Sequence, residues 1–414
     1  MPETIGDQSS AIYADHAATS FPKPDCVHEA MLEHLTGAGN PGRSGHRLAR
    51  AADESVWQAR RAVADLLGAD DADRVVFTGG ATTALNIAIK GLVRPGDTVV
   101  TSSFEHNAVV RPLHALEAAG VTWRPVPPGR SCPVDLDRLE DELRGGRVRL
   151  VVLSHASNVT GAVVPLEPVR SLTERYGATL VLDAAQTVGH LPVRADDADV
   201  VVFAGHKGLL GPTGTGGMHV GDRLAIRPLV HGGTGGRSEL REQPRWLPWA
   251  LESGTPNGAG IAGLGAGVRH LLRTGVAAVR SREIALRDLL VAGLRELPGV
   301  IRHEQSSPEQ PVGVVSLNIA GMSPSGAAAA LDEQHDVLVR GGLHCAPQAH
   351  RTLGTMPDGT VRLSVSQLNT EADVTAIVAA VRALAESSAR SSAIPPSRPF
   401  PAPRTAALAR VGGE

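Results

Sequence analysis

One alternation constrains this chain more than any other feature. Short runs of apolar, mostly β-branched residues recur through its middle, and segments of helix length separate them. The runs are DRVVFT ending at Thr78, DTVVTS ending at Ser102, VRLVVLS ending at Ser154, TLVLD ending at Asp183 and DVVVFA ending at Ala204. Between them lie TTALNIAIKGL, NAVVRPLHALEAAG and LEPVRSLTERYG, whose apolar positions follow the spacing of one helix face. Strands apolar throughout are buried on both faces, and helical connections allow parallel neighbours. The pattern therefore predicts an α/β fold built on a mostly parallel sheet.

That sheet domain is expected over about residues 51–260, after an N-terminal segment, 1–50, that packs with a second, smaller unit. From Ile261 the pattern changes to a long helical stretch, a strand near VGVVSLNI, a helix near SPSGAAAALDEQ, the strand TVRLSV and the closing helix EADVTAIVAAVRALAES. This predicts a smaller α+β unit over 261–388. Residues 389–414, rich in Pro, Ser and Ala, are expected to be disordered.

With 40 basic and 43 acidic residues, a formal charge of −3 and no run of one sign, the chain offers no nucleic-acid surface. No apolar run approaches the ~18 residues of a membrane span, and MPETIGDQSS lacks the basic and apolar regions of a signal peptide, so a cytoplasmic enzyme is expected. Cys26, Cys132 and Cys345 are too few and too scattered for a disulfide framework or a metal site; a free thiol, and no metal, is expected.

Lys23, Lys90 and Lys207 are the only lysines among the 40 basic residues. Arginine replaces lysine as a surface charge but stays protonated, so a catalytic amine must remain lysine. Lys207 lies just beyond a predicted strand. In open α/β sheets ligands bind outside the carboxyl ends of the strands, and here those ends bring Thr82, His106, Asn158, Asp183 with Gln186, and His206 with Lys207. FTGGATTALN suits a phosphate at a helix N-terminus, or simply turns strand into helix. GPTGTGG does not lead from a strand into a helix, as a nucleotide loop must. Asp183 followed by Lys207 suits pyridoxal phosphate, the carboxylate on the ring nitrogen and the amine on the carbonyl carbon; a surface Asp and Lys at loop starts is the alternative. Cys345 follows His344 in VLVRGGLHCAP, a loop expected to be flexible at Gly341 and Gly342. A thiol so placed suits a nucleophile, against the alternative of a buried small side chain.

Taken in order, YADHAATSFP, FTGGATTALN, FEHNA, SHASNVTGA, LDAAQTVGH, FAGHKGLLGPTGTG, ESGTPN and RGGLHCAP resemble the class V aminotransferase family of fold-type I pyridoxal phosphate enzymes. Within it they resemble the cysteine desulfurases with a short cysteine loop. The resemblance runs from about Tyr13 to Ala385. It implies covalent attachment of the cofactor at Lys207, Asp183 on the pyridine nitrogen, Gln186 on the phenolate oxygen and His106 stacked on the ring. Thr82 and His206 would hold the phosphate, and Thr255 would reach the phosphate of a second subunit, which implies a homodimer. Asn158 and Arg362, with Arg340, would bind the substrate carboxylate, and Cys345 would take the sulfur of L-cysteine as a persulfide and pass it to an acceptor protein. His344 and His350 are possible helpers of the thiol.

Ala204 stands where many desulfurases have a hydroxyl ligand of the phosphate, and Gly258 where threonine is common. Carbon–sulfur lyases, selenocysteine lyases and amino-acid epimerases share the fold and stay open as alternatives, as does a non-catalytic relative.

Overall fold

A computed structural model describes residues 11–42, 45–236 and 238–392. The chain enters through strand β1 (Ile12–Tyr13) and helices α1 (Asp25–Gly37) and α2 (Arg47–Leu67). It continues through β2 (Val75–Thr78), α3 (Ala81–Leu92), β3 (Thr98–Ser102), α4 (Asn107–Glu117), β4 (Thr122–Val126), α5 (Leu136–Arg144), β5 (Val148–Ser154), α6 (Leu166–Tyr176), β6 (Thr179–Asp183), β7 (Val200–Ala204) and β8 (Gly216–Val220). The remainder is α7 (Gly258–Thr274), α8 (Val276–Leu294), β9 (Val300–His303), β10 (Val314–Ile319), α9 (Pro324–His335), β11 (Val337–Leu338), β12 (Arg340–Gly342), α10 (Pro347–Leu353), β13 (Thr360–Ser364) and α11 (Glu371–Ser392).

Seven strands form one sheet in the order β2-β8-β7-β6-β5-β3-β4. β3 to β7 pair in parallel, and β8 runs antiparallel to both its neighbours, β2 and β7. The carboxyl ends of β2 to β7 therefore share one edge. Alternate side chains of the inner strands enter two separate cores. Leu180, Leu182, Val201 and Phe203 pack with Val63 and Leu67 of α2 on one face, while Val181, Val200 and Val202 pack with Leu85 and Ile89 of α3 on the other. At roughly 1.5–3 kcal/mol for each large apolar side chain taken from water, this two-sided burial is what fixes the strands. The five predicted strands all lie in this sheet. β8 was not foreseen: the last two glycines of GPTGTGG begin it.

A second, antiparallel sheet has the order β12-β13-β10-β9 and is covered by α8, α9 and α11 through Leu286, Leu290, Leu331, Ile377 and Val381. β1 pairs in parallel with β11, and the Ser364 N–H donates to the Ala14 carbonyl at 2.7 Å, which ties the N-terminal segment to β13. α11 continues to Ser392, four residues past the expected end of the small unit. The rest of the expected disordered tail, 393–414, lies outside the described residues.

Gly341 and Gly342 correct one expectation. They are not a flexible loop but part of β12, paired with Val361 and Thr360 of β13. A Cβ on Gly341 would stand 2.4 Å from the Pro324 carbonyl oxygen, so close approach of α9, not mobility, demands glycine there.

Candidate active site

Asp183 closes β6 and is buried; its Oδ1 accepts the Ala185 N–H at 3.1 Å. Burial raises its carboxyl above the usual range, while that N–H and the Lys207 ammonium pull it down. Lys207 follows β7 in a turn whose carbonyl accepts the Leu210 N–H at 2.9 Å. Behind this turn a Cβ on Gly208 would stand 2.4 Å from the Val188 carbonyl oxygen, so two loops meet without room for a side chain. Burial pushes the Lys207 amine down to about 8; Asp183 and Cys345 oppose this, and Arg362 and Arg340 reinforce it. Such an amine is neutral often enough near pH 7 to act as nucleophile or base.

His106 caps α4: its Nδ1 accepts the Ala108 N–H at 3.0 Å, which leaves the ring proton on Nε2. Burial, then the positive charges of Lys207, Arg340 and Arg362, lower it to about 4, so the ring is neutral. Glu105, just before it, is fully buried. It accepts from Ser102 Oγ at 2.5 Å and from Ser154 N and Oγ at 2.9 and 2.8 Å, and so joins the ends of β3 and β5 beyond their ladder. Burial first, with Asp183 adding, raises it to about 7.

Pyridoxal phosphate fits this edge on three observations. The buried His206 Nδ1 has no hydrogen-bond partner. Gly79 and Gly80 open α3 with free space where side chains would be, and Thr82 stands exposed in its first turn. Asp183 ends β6 and Lys207 follows β7, its parallel neighbour in the sheet, so carboxylate and amine leave the same edge. Gln186 is buried and commits one amide hydrogen to the Ala17 carbonyl at 3.1 Å, leaving the other. Thr255 is exposed and lines a cavity of about 860 Å³ together with Thr78, Gly79 and Thr83, beside the start of α3.

Arg362 is 1% exposed in the centre of β13 and forms an ion pair with Asp15 at 2.6 Å. Its Nη1 donates to the Asn158 carbonyl at 3.2 Å, and its Nε is buried without a partner. Arg340 lies opposite it across the β12–β13 ladder and donates from Nη2 to Cys345 Sγ at 3.6 Å.

The cysteine is exposed, in a tight turn closed by the Ala346 N–H on the Leu343 carbonyl at 2.8 Å. Both central residues, His344 at φ 48° and Cys345 at φ 57°, are left-handed, a conformation that favours Asn and Gly and costs other residues roughly 1 kcal/mol or more each. Three contacts hold it: Asn158 Nδ2 on the His344 carbonyl at 2.7 Å, the Asn107 N–H on the Cys345 carbonyl at 2.8 Å, and His344 Nε2 against Thr360 at 3.0 Å. His344 is buried and pushed down to about 2, and His350 is buried against Thr355 at 2.7 Å. His344 thus forms part of the frame of the loop.

The profile described as Aminotransferase class-V matches residues 12–377. The chain belongs to the class-V aminotransferase family. The fold-type I α/β architecture and pyridoxal phosphate as cofactor go with that membership. Among class-V relatives, the chain is 34% identical to a probable cysteine desulfurase of Methanothermobacter thermautotrophicus, over 88% of this chain and 92% of that one. It is 31% identical to a cysteine desulfurase of Salmonella agona, over 89% and 91%. Among solved structures, the apo cysteine desulfurase of Thermococcus onnurineus NA1 superposes with a TM-score of 0.84 at 32% identity, covering 91% of this chain and 95% of that one. The S-sulfonic acid form of the cysteine desulfurase CsdA of Escherichia coli gives 0.81 at 31% identity, covering 92% and 96%.

Sequence reasoning missed three residues of this class-V site: Asp15, Glu105 and Lys23. Only Lys23 left a signal, as one of three lysines in an arginine-rich chain.

Proposed function

We propose that the chain is a pyridoxal-phosphate-dependent cysteine desulfurase that converts L-cysteine to L-alanine and carries the sulfur on Cys345. One observation supports this above the others: the exposed Cys345 thiol lies 3.6 Å from Arg340, Arg340 stands opposite Arg362 across the β12–β13 ladder, and Asn158 bonds both Arg362 and the turn that carries the thiol. Relatives named cysteine desulfurase, 31 to 34% identical over most of the chain, point the same way.

When bound, the cofactor supplies an electron-withdrawing ring that takes up charge at the substrate α-carbon. Asp183 would keep the ring nitrogen protonated, the neutral His106 ring would lie against it, and Gln186 would donate to its phenolate oxygen. Thr82 and His206 would hold the phosphate of the same subunit, and Thr255 that of the partner subunit. Arg362 has a buried Nε free for the substrate carboxylate, and Asn158 and Arg340 border the same position. Lys207 Nζ would move the α-proton. Cys345 Sγ would attack the substrate sulfur; the new S–S bond forms as the C–S bond breaks, its electron pair stays with carbon, and protonation there yields alanine. An acceptor protein then takes the terminal sulfur, in a cytoplasm reducing enough to keep Cys345 a thiol.

The second subunit is supported by a surface. Trp57, Trp246 and Trp249, three of the four tryptophans, are 40%, 44% and 39% exposed around the Thr255 cavity, with Val230 at 59%. Exposed aromatic side chains gathered around one cavity suit a surface that a second chain covers. The deciding assay measures alanine and sulfide released from L-cysteine with reductant, beside L-selenocysteine and cysteine conjugates. L-cysteine is expected to give equal alanine and sulfide. Turnover confined to selenocysteine or a conjugate would replace this reading with a lyase.

A further inference from the structure

Four donors converge on the main-chain carbonyl of His206, the residue before Lys207. They are the Ser20 N–H at 3.0 Å, Thr19 Oγ1 at 2.9 Å, Ser20 Oγ at 3.2 Å and Lys23 Nζ at 2.8 Å. A carbonyl offers two lone pairs, and a charged donor makes the stronger bond, so the ammonium dominates. Lys23 also donates to Ser20 Oγ at 2.7 Å and approaches Thr19 Oγ1 at 3.5 Å. Its hydrogens are thus all directed at one spot. No described carboxylate forms an ion pair with it, and burial lowers its amine to about 8. A half-buried ammonium without a counter-ion is costly, and in a chain where all but three basic residues are arginine its retention calls for a function.

The same short segment reaches the rest of the site. Asp15 pairs with Arg362 at 2.6 Å, the Ala17 N–H donates to Ser364 Oγ at 3.0 Å, and the Ala17 carbonyl accepts from Gln186 at 3.1 Å. Residues 15–23 therefore form a strap that touches the arginine, the glutamine and the lysine peptide in turn.

We propose that Lys23 is a positioning residue: its ammonium, supported by Thr19 and Ser20, clamps the His206 carbonyl and so fixes the main chain that presents the Lys207 amine. The consequence for turnover rests on the reading of Lys207 given above; the clamp itself does not. Lysine suits the task because a compact point donor on a flexible stem reaches one carbonyl, whereas a guanidinium spreads its donors over a plane.

The test compares the parent with Lys23→Met and Lys23→Arg as full-length holoenzymes. Amide hydrogen exchange of the 205–211 peptide is expected to quicken by about tenfold or more in Lys23→Met, with peptides of β10 and α11 unchanged. With L-cysteine, kcat is expected to fall roughly tenfold while KM stays within about twofold, because Arg362 is untouched, and Lys23→Arg should recover part of kcat. If Lys23→Met does not fold, Ser20→Ala carries the same readouts with a smaller effect. Parent-like exchange in 205–211 would overturn the clamp. Faster exchange with unchanged kcat would overturn its role in turnover, as would a loss shared equally by kcat and the folded fraction. A parent inactive on L-cysteine would remove the desulfurase reading, and the exchange measurement would still decide the clamp.

Discussion

Arg362 concentrates the problem of a charge kept out of water. Burial lowers its guanidinium below the usual range, and the Asp15 carboxylate opposes that. Removing one member of a buried pair leaves the other uncompensated. Arg362→Ala is accordingly expected to raise KM for L-cysteine by roughly 30-fold, the equivalent of about 2 kcal/mol for a lost charge-assisted contact, and Arg362→Lys to restore only part. Steady-state kinetics check this; a parent-like KM in both variants would contradict it. Legibility at this scale followed chemistry. Asp183 and Lys207 could be read because few residue types suit an amine and its carboxylate partner, and both follow strands. Asp15 and Lys23 could not, since their partners lie 347 and 183 residues away and only the folded chain brings them together. His344 was read as polar company for the thiol, but a hydrogen bond to Thr360 and burial make it part of the frame.

Strands β2, β3, β5, β6 and β7 were legible because two-sided burial demands unbroken apolar runs. β8 was not, because its glycines look like a loop and its pairing depends on β2 and β7, distant in sequence. β12 hid for the same reason behind Gly341 and Gly342. A part-buried pair joins the turn after β6 to α8: His190 Nδ1 meets Glu283 at 2.5 Å, and Glu283 also accepts the Gly313 N–H at 2.7 Å. Burial alone would depress His190, but the charge and hydrogen bond of Glu283 more than offset it and hold the imidazole above its ordinary value. Glu283, which burial would raise, is held below its own by His190. The histidine contribution is complete below its unfolded value of about 6.5 and fades as pH rises through the raised folded value, whereas that of Glu283 is present above about 4.5 and is lost as pH falls through its lowered one. Glu283→Gln, which keeps an acceptor for Gly313, should therefore lower Tm more at about pH 6 than at about pH 9. Equal losses at both would show that the pair carries no charge.

The whole molecule places its chemistry where the two sheets meet, with β1 and the residues after it running from one to the other. Its apolar tryptophan face predicts a stable pair of chains, seen as twice the chain mass in sedimentation, and a red shift of emission when dilution separates them as Trp57, Trp246 and Trp249 become hydrated. A single-chain mass at micromolar concentration would contradict the shared site. The central claim is that Cys345, held in a strained turn within reach of Arg340, receives the substrate sulfur. Mass spectrometry of the protein after brief exposure to L-cysteine tests it most directly, read beside alanine release in the parent and in Cys345→Ser. The account predicts one additional sulfur on the peptide containing Cys345, removed by reductant, and a Cys345→Ser protein that still takes up pyridoxal phosphate and binds L-cysteine but releases no alanine. Parent-like sulfur release from L-cysteine by Cys345→Ser, with no mass added at Cys345 in the parent, would contradict it.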